Sequence, residues 1–516
     1  MKPNEYQIDK EKFVFASNND RLRDKELVTK PIGYFKDAFN RFKRNKGSIV
    51  AAIIIGFLVL FAIVGPLTTP YKVSFKDPTY KYALPKNELF YDLGIDFWDG
   101  CEEKAVTKQN FYYYYSMGVE TGYNAIKNQE YRTEERLNLN KKKVTYYIFR
   151  YDSYNAVGMS FINITKEDYA ALQAYQDKTG IQVIYPITDK NLRPTAEQDS
   201  ADANFWYRTV TEGGKTLVDL DENGNYVNIY KAYTGNDGYT SKVRIDADKK
   251  YDYAIKNETG YQIRVNYREY FIYMHKEVLK DGITEPSFLF GATHAGQDIY
   301  VCLGSGARFS FILAIIVASV NLFVGAIYGA IEGYYGGKVD IIMERIVEIL
   351  SAIPFMIVIT LLKYHMEGSN HVLILFISFF LTGWIGMAGR TRMQFYRYKN
   401  QEYVLAARTL GAKDLRIMFK HIFPNALGTL ITSCVLIIPG MIFSETSLSY
   451  LGIINLNSGN LTSVGTLLAN AQPYLTTYPH MVVFPAIFIC LLMLSFNLFG
   501  NGLRDAFNPS LRGAEE

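Results

Sequence analysis

The chain has few cysteines and histidines, and neither residue type is clustered. It contains four cysteines and six histidines among 516 residues. Cys434 and Cys490 fall inside apolar runs and Cys302 at the edge of another, which leaves Cys101 by itself, so we expect no disulfide framework. The histidines lack metal-ligand spacing, and the sequence shows no catalytic triad or paired acids. We therefore predict no catalytic residues and no metal site.

A strong net charge is also missing. The chain has 55 Lys and Arg residues against 51 Asp and Glu residues, which gives a net charge of +4. This excess is too small for a nucleic-acid-binding protein, and no basic block interleaved with aromatic residues occurs outside the loops. We therefore exclude nucleic acid as a partner. The mean hydropathy of -0.04 hides two populations, because the apolar residues are gathered into runs.

These runs predict membrane spans. Each approaches the roughly 20 apolar residues that a bilayer core requires, and they cover residues 48–67, 309–331, 341–362, 372–387, 426–443 and 481–498. Ionisable residues are scarce in them, which argues against a proton- or sodium-coupled carrier. A long polar segment precedes the first run, so we interpret this run as a permanent anchor rather than a cleaved signal peptide. We expect an all-α polytopic membrane protein with six transmembrane helices.

Basic residues beside the spans predict the orientation, because Lys and Arg resist translocation. The basic segment 41–46 places the N-terminus in the cytoplasm, and six crossings return the C-terminus to the same side. The basic loop after the fourth span then also lies in the cytoplasm. The predicted organisation is a cytoplasmic N-terminal segment 1–47, a first transmembrane helix 48–70, an extracytoplasmic inserted domain 71–286, a core 287–500 with five transmembrane helices and a cytoplasmic coupling loop 390–425, and a cytoplasmic tail 501–516.

The inserted domain is rich in Tyr and shows the alternation typical of strands at 143–149, 180–185 and 261–267. A helix is expected over 166–175 after the cap-like Thr165. We therefore expect an α+β domain. Its ligand role is open: it could dock a binding protein, form a vestibule in which Tyr, Phe and Trp206 contact a ligand, or be a Tyr-rich core without a ligand.

Two motifs in this domain resemble ligand loops without completing them. Residues 219–230 begin like a calcium loop, but Tyr230 occupies the position of the bidentate Glu, so a hairpin is favoured. Residues 214–216 end like a nucleotide-binding loop, but Thr209 replaces the required glycine. We expect no ATP site in this chain.

The basic loop after the fourth span predicts two short helices. Residues 402–410 favour a helix with the small Ala406 and Ala407, Gly411 breaks it, and 414–423 resumes with Leu415, Met418, Phe419 and Ile422 on one side. We expect the second helix to end at Pro424. Such a knob suits a groove in a soluble partner, but it could also lie on the lipid headgroups. The candidate coupling residues are Glu402, Ala406, Ala407, Gly411, Asp414, His421 and Pro424.

A resemblance favours the soluble partner. Ala406, Ala407, Gly411 and Pro424 fall on the Glu-Ala-Ala, Gly and distal Pro pattern of ABC importer permeases, with Leu405 in place of the Glu. Gln297 replaces an Arg of the family in a second similar segment. Over 35–70 and 287–512 the chain resembles the C-type oligopeptide and dipeptide permeases, and the further similar segments are 290–298, 333–337, 445–452 and 497–505.

The resemblance implies a type I ABC importer permease fold and a set of partners. These are a second homologous permease subunit, two cytoplasmic ATP-binding subunits, an extracellular peptide-binding lipoprotein, and an oligopeptide or dipeptide substrate, in a bacterial plasma membrane. ATP and magnesium would bind the ATP-binding subunits, so the chain itself is expected to be no enzyme and to hold no cofactor. Two alternatives are an importer of nickel or another small solute, and a membrane-anchored receptor or adhesin that acts through the inserted domain.

Ionisable residues near the spans give the remaining candidates. Arg308 and Glu445 could line the translocation path, although Glu445 could also be an interfacial carboxylate that caps the turn at Ser447. Glu344, Arg345 and Glu348 lie one turn apart, and we expect a structural i,i+4 pair among them.

Overall fold

The computed structural model describes most of the chain. It covers residues 34–107, 110–111, 114–115, 118, 121–137, 143–185, 209–212, 215–218, 230–234, 240–244, 253–368, 370–456 and 461–507. Trp206, most of the calcium-like segment, the first 33 residues and the tail beyond residue 507 lie outside the described residues.

Helices dominate the two membrane-associated parts of the chain. Within the described residues, the α-helices are α1 Tyr34–Arg44, α2 Lys46–Val64, α3 Glu88–Asp92, α4 Lys166–Thr179, α5 Tyr267–Tyr273, α6 Ile299–Tyr335, α7 Gly337–Ser351, α8 Phe355–His365, α9 His371–Gly383, α10 Ile385–Tyr398, α11 Glu402–Thr409, α12 Asp414–Arg416, α13 Phe423–Tyr450, α14 Val464–Ala471 and α15 His480–Phe507. Two π-helical turns, Met274–Leu279 and Ile417–Ile422, follow α5 and α12.

Five membrane-crossing helices and one bent pair account for the six predicted spans. In the described part of the chain, Lys46–Leu67, Ile299–Tyr335, His371–Tyr398, Asp414–Tyr450 and His480–Phe507 are long and apolar enough to cross a membrane. The predicted third span is the pair α7 and α8, which is bent by 71°. Pro354 lies at this break, where it lacks an N–H group and disfavours helical geometry in the preceding residue. The prediction of several apolar crossings is confirmed.

The described part of the inserted region forms two antiparallel sheets and two hairpins. One sheet has the order β1-β3-β2, and the other joins β10, β11 and β4, with β5 paired to β11. The hairpins are β6–β7 and β8–β9. The strands are β1 Cys101–Thr107, β2 Ile126–Leu137, β3 Lys143–Asp152, β4 Met159–Ile164, β5 Ile184–Tyr185, β6 Thr209–Glu212, β7 Lys215–Val218, β8 Tyr230–Thr234, β9 Thr240–Arg244, β10 Ala254–Lys256 and β11 Tyr261–Asn266. The α+β prediction is confirmed.

The predicted strand at 180–185 is wrong over most of its length. Gly180 caps α4 in the left-handed conformation. The Gln176 side-chain oxygen then accepts hydrogen bonds from the N–H groups of Val183 and Ile184, at 2.6 and 2.7 Å. Strand pairing with β11 involves only Ile184 and Tyr185. The start of α4 agrees with the prediction, since Thr165 accepts from the Asp168 N–H.

The inserted region and the spans share one hydrophobic core. We call the membrane side of residues 71–286 the insertion side, and the side of residues 390–425 the loop side. Phe288 is fully buried and packs its ring 4.9 Å from that of Tyr71. The same cluster includes Tyr154 of the inserted region together with Leu58 of α2 and Val301 of α6. The region predicted as an inserted domain therefore packs directly on the ends of the spans.

Candidate functional site: the coupling element and its connections to the spans

The loop-side knob has the expected helix, glycine and helix arrangement. We call residues 402–424 the coupling element. Gly411 has a φ of +81°, and the N–H of Ala412 returns to the carbonyl of Ala407 at 3.1 Å. This is the left-handed cap that glycine adopts without a side-chain penalty. The chain then turns into α12 and the π-helical turn Ile417–Ile422.

Most of the candidate coupling residues are exposed. Glu402, Ala406, Gly411, Asp414 and Pro424 are exposed, and the remaining two candidates, Ala407 and His421, are half-buried. All seven residues are therefore at least partly accessible to a partner. Their role in coupling stays a prediction.

The predicted apolar face of the second helix is wrong in part. Met418 and Ile422 are buried as expected, but Leu415 and Phe419 are exposed, and Ile417 is buried in their place. The π-helical turn is the physical reason, because its i→i+5 hydrogen bonds widen the turn and bring different residues to the inner face.

Pro424 does not end this helix, contrary to expectation. It stands in the first turn of α13, and α12, the π-helical turn and α13 form one continuous helix from Asp414 to Tyr450. A proline is tolerated in a first turn because its missing N–H has no obligatory partner there. The widened turn before it lets the helix continue.

The coupling element is attached to the loop-side end of α6. The Tyr334 hydroxyl donates to Asp414 Oδ1 at 2.6 Å, and the Arg408 guanidinium lies 5.8 Å from the Tyr334 ring centre. Beneath the element, Val404, Ile417, Met418 and Ile422 pack with Tyr334, Ala330 and Phe395 in one buried cluster. A displacement of the element therefore reaches α6 through both a hydrogen bond and a packed core.

The glycine-rich end of α6 has a packing function. A Cβ atom on Gly333 would lie 2.7 Å from the carbonyl oxygen of Arg392 and 2.8 Å from Cβ of Phe395. The absence of a side chain thus allows α6 and α10 to approach closely. Lys399 strengthens this contact, because its ammonium donates to the Gly333 carbonyl at 3.0 Å.

Arg392 stands at the centre of a charge cluster that sequence reasoning missed. Its Nε lies 2.6 Å from Asp340 Oδ1 and 3.4 Å from Glu332 Oε1, and its Nη1 lies 3.2 Å from Glu344 Oε2. The Tyr396 hydroxyl also donates to Asp340. The i,i+4 spacing of Asp340 and Glu344 was the available signal, but the long-range partner could not be inferred from it.

The i,i+4 ion pair expected among Glu344, Arg345 and Glu348 of α7 is wrong. Arg345 pairs with Glu348 three residues later, whereas Glu344 faces Arg392 on α10. Because α7 is a helix, Glu344 and Arg345 point about 100° apart and enter different environments.

Glu445 is buried between helices rather than placed at an interface. It is 1% exposed, and it accepts hydrogen bonds from the hydroxyls of Ser310 on α6 and Ser449 at 2.9 and 3.0 Å. The predicted cap at Ser447 is wrong, because that hydroxyl donates to the carbonyl of Phe443. Arg308 is exposed on α6, one turn or less from Ser310. The path role of both residues stays a prediction.

An aromatic cavity lies between the inserted region and the last span. Its volume is about 330 Å³, and its lining includes Glu102, Lys104 and four tyrosines, Tyr82, Tyr114, Tyr151 and Tyr478. The Lys104 ammonium lies 3.8 Å from the Tyr151 ring centre. Burial raises the pKa of Glu102, and the nearby Lys104 charge opposes this rise. The predicted aromatic vestibule could lie here, although Trp206 is outside the described residues.

The turn before α6 fixes the inserted region to the spans. Gly291 and Gly296 have φ values of +81° and +72°, and the Gly296 carbonyl accepts from the Asp77 N–H at 3.1 Å. Gln297, where the similar family has Arg, donates its amide to the Val73 carbonyl at 2.6 Å. Asp298 caps α6 by accepting from the Tyr300 N–H. Gly296, Gln297 and Asp298 thus each have a structural partner.

Comparison with known proteins places this architecture in a class. Residues 322–513 match the family of binding-protein-dependent transport system inner membrane components, and residues 33–85 match the N-terminal transmembrane domain of oligopeptide transport permease C. Several membrane-crossing helices with a structured loop after the fourth span therefore define a polytopic transport permease.

Individual similar proteins show which branch of this family the chain resembles. Over 223 residues the chain is 44% identical to the oligopeptide transport system permease protein OppC of Bacillus subtilis, covering 43% of this chain and 72% of that protein. It is 38% identical over 224 residues to the dipeptide transport system permease protein DppC of the same organism, covering 43% and 69%. The chain therefore belongs to the oligopeptide and dipeptide permeases of ABC importers. Its similarity to the solved MetNI methionine ABC transporter, at 15% identity and a TM-score of 0.30 over 38% of this chain and 94% of that one, is too low to carry an argument.

Proposed function

We propose that the protein is the C-type permease subunit of an ATP-driven importer of oligopeptides or dipeptides. The 44% identity to an oligopeptide permease, over 72% of that relative, carries this proposal. The relatives' names favour peptides over nickel or another small solute. A receptor or adhesin would have no need of the coupling element or its tight attachment to α6.

The coupling element would transmit force from ATP hydrolysis. Two cytoplasmic ATP-binding subunits, which would bind ATP and magnesium, would hold the exposed face of residues 402–424 and of the corresponding loop in a second permease subunit. Closure of the ATP-binding subunits would then move α6 through the Tyr334–Asp414 hydrogen bond and α13 through the continuous helix. Both termini would lie in the cytoplasm of a bacterial cell.

The inserted region would work on the extracellular side. A peptide-binding lipoprotein would deliver the substrate there, and the cavity lined by Tyr82, Tyr114, Tyr151 and Tyr478 could contact peptide side chains. The region would then act as a docking platform or as a vestibule, and its firm attachment to the spans favours either role over a loosely tethered domain.

The test is purification of the solubilised protein from its native membrane, with identification of the chains that accompany it. Gly411→Pro is incompatible with a φ of +81° and should release the ATP-binding subunits. Gly282→Pro is the matched control, because Gly282 lies in the inserted region and has a φ of +85°, and a Cβ atom added there would meet no other atom within 4 Å.

We expect a second permease and two ATP-binding subunits with the unaltered protein and with Gly282→Pro, and loss of the ATP-binding subunits with Gly411→Pro. Recovery of the protein by itself in all three samples would contradict the complex. For the substrate, the purified complex in liposomes should take up a labelled tripeptide, whereas uptake of nickel ions without peptide uptake would favour the small-solute alternative.

A further inference from the structure

Large apolar side chains stand exposed in one segment of the inserted region. Leu89, Leu93 and Phe97 are 63%, 66% and 66% exposed. We call residues 88–98 the interfacial segment. Leu89 and Leu93 are four residues apart across α3, so they share one side of this short helix. Water is an unfavourable environment for such a group of side chains.

The interfacial segment lies against the insertion-side ends of two spans. The Trp98 ring stacks on Phe290 and on Phe484 of α15, with ring centres 5.9 and 5.8 Å apart. The Trp98 indole N–H also donates to the Leu289 carbonyl. At the other end of the segment, Glu88 shares a small cleft with Thr68, just beyond α2. The segment therefore bridges the end of α2 and the beginning of α15.

Near their insertion-side ends, α2 and α15 both present apolar side chains outward. On α2 and the turn after it, Phe57, Leu60 and Leu67 are exposed, and on α15 Val483 and Ile487 are exposed. In a membrane-spanning chain such a surface faces lipid. The apolar side of the interfacial segment continues this surface beyond the end of the spans.

The charges of the segment are arranged compatibly with a membrane boundary. Asp96 is paired with Lys127 and Arg150 of the sheet, at 3.1 and 3.3 Å. Glu88 and Asp92 are four residues apart on α3, and both carboxylates are exposed to solvent beside the leucines. An indole ring with its N–H bonded and its faces packed is typical of the boundary between lipid and water.

We propose that the interfacial segment inserts its apolar side chains into the lipid leaflet on the insertion side and so holds the inserted region against the membrane surface. The ligand is the headgroup and upper acyl region of phospholipid. Because the segment carries exposed carboxylates and no exposed Lys or Arg, binding depends on apolar burial and not on anionic headgroups. The proposal is independent of the transported substrate.

The first test uses a fluorescent label in phosphatidylcholine nanodiscs. The four native cysteines are replaced by Ala, and a single cysteine is introduced by Phe97→Cys or, as the matched control, by Leu137→Cys. Leu137 is as exposed as Phe97, but it pairs with Lys143, at the opposite end of β3 from Asp152. The Lys143 end of β3 is about 30 Å from its Asp152 end along the strand.

We expect lipids brominated in the upper acyl chain to quench the label at position 97 at least twofold more than the label at position 137. Aqueous iodide should show the reverse order. Equal iodide quenching at both positions, with no quenching by lipid, would overturn the proposal. Shielding of position 97 only after a second permease is added would assign the segment to a protein contact and would also overturn it.

A second test needs no substitution. The unaltered chain in nanodiscs that contain a photoactivatable phosphatidylcholine is irradiated, and the cross-linked peptides are identified. Cross-links within residues 88–98 are expected, in addition to those in the spans. Cross-links confined to the spans would contradict insertion, even if the cysteine-free variants did not fold.

Discussion

At the scale of single residues, Arg392 joins three helices through one positive charge. Its guanidinium faces carboxylates from α6 and α7, and Glu332 among them is almost completely buried. Removing the cation leaves these carboxylates close together without compensation. Loss of one partner from a buried pair is strongly destabilising, because the remaining charge is poorly solvated.

We predict that Arg392→Met lowers the free energy of unfolding by about 3 kcal/mol. Arg390→Met is the control, because Arg390 is exposed two residues earlier in the same helix. Thermal unfolding in detergent measures both variants. Equal melting temperatures for the two would show that the charge cluster does not hold the helices together.

The Asp298 carboxyl makes the free energy of unfolding depend on pH. Burial raises the pKa of this carboxyl to about 7, while hydrogen bonds from the N–H groups of Tyr300 and Val301 oppose the rise. Because the folded pKa is above the unfolded value of about 4, the stabilising contribution is full below pH 4 and is lost as the pH rises through 7.

We predict that Asp298→Asn, which keeps a side-chain oxygen for the cap of α6, removes this contribution to the pH dependence. Relative to the unaltered chain, the variant should gain about 4 kcal/mol between pH 4 and pH 8. Melting temperatures of both proteins across this range give the difference. A difference that stays constant with pH would mean that Asp298 does not titrate in this way.

At the scale of elements, the turn before α6 depends on close backbone contact. Gly296 packs on the backbone of Asp77, and a Cβ atom there would lie 2.5 Å from the Asp77 carbonyl carbon. Gly282 has a similar positive φ but no neighbour within 4 Å of the same position. The two glycines therefore separate the cost of the contact from the cost of the backbone conformation.

We predict that Gly282→Ala costs about 1 kcal/mol, from the left-handed conformation only. Gly296→Ala should cost at least about 2 kcal/mol more, because the segment around Asp77 must move. Urea unfolding of both variants checks this order. Similar losses for both would show that the Asp77 contact adds nothing.

Local sequence patterns predicted which helices and strands exist better than they predicted the exact lengths and hydrogen bonding of these elements. The apolar runs predicted the crossings, and Thr165 predicted the start of α4. The π-helical turn at Ile417–Ile422 was not predicted, because a sequence does not reveal i→i+5 hydrogen bonding and the usual period placed Leu415 and Phe419 inward. The strand predicted over 180–185 was too long, because the left-handed cap of α4 at Gly180 and the Gln176 side chain determine the backbone before Ile184.

At the scale of the whole molecule, the inserted region and the membrane helices form one body around Phe288. Its side chain packs against Tyr71, Tyr80 and Tyr154, and the same cluster extends to α2 and α6. The sequence predicted an inserted domain but not its packing against the spans, because a tyrosine-rich pattern shows that faces are buried but not which surface they bury against.

We predict that Phe288→Ala lowers the free energy of unfolding by about 3 to 5 kcal/mol. Protection from hydrogen exchange should fall both in β4 and β11 and at the insertion-side ends of the spans. Leu137→Ala, at an exposed site, is the control and should leave both unchanged. Loss of protection in the inserted region only would contradict a shared core.

The coupling residues were predicted as a group, but their connections to the body of the protein were not. The spacing of Ala406, Gly411 and Pro424 marked the element. Tyr334, the partner of Asp414, comes from a segment 80 residues earlier in the chain, and a single sequence contains no signal for such a pairing.

The uninterrupted helix from Asp414 to Tyr450 has a mechanical consequence. Its 37 residues extend over about 55 Å at 1.5 Å per residue. A straight helix of this length would convert a tilt of about 5° at the loop side into a displacement of about 5 Å at its far end, whereas Pro439 within α13 is a point at which the helix can bend. Glu445 and its contact with Ser310 lie near that end. Under the proposed function, a small tilt of the coupling element would therefore become a displacement of roughly the length of one amino acid side chain near Glu445.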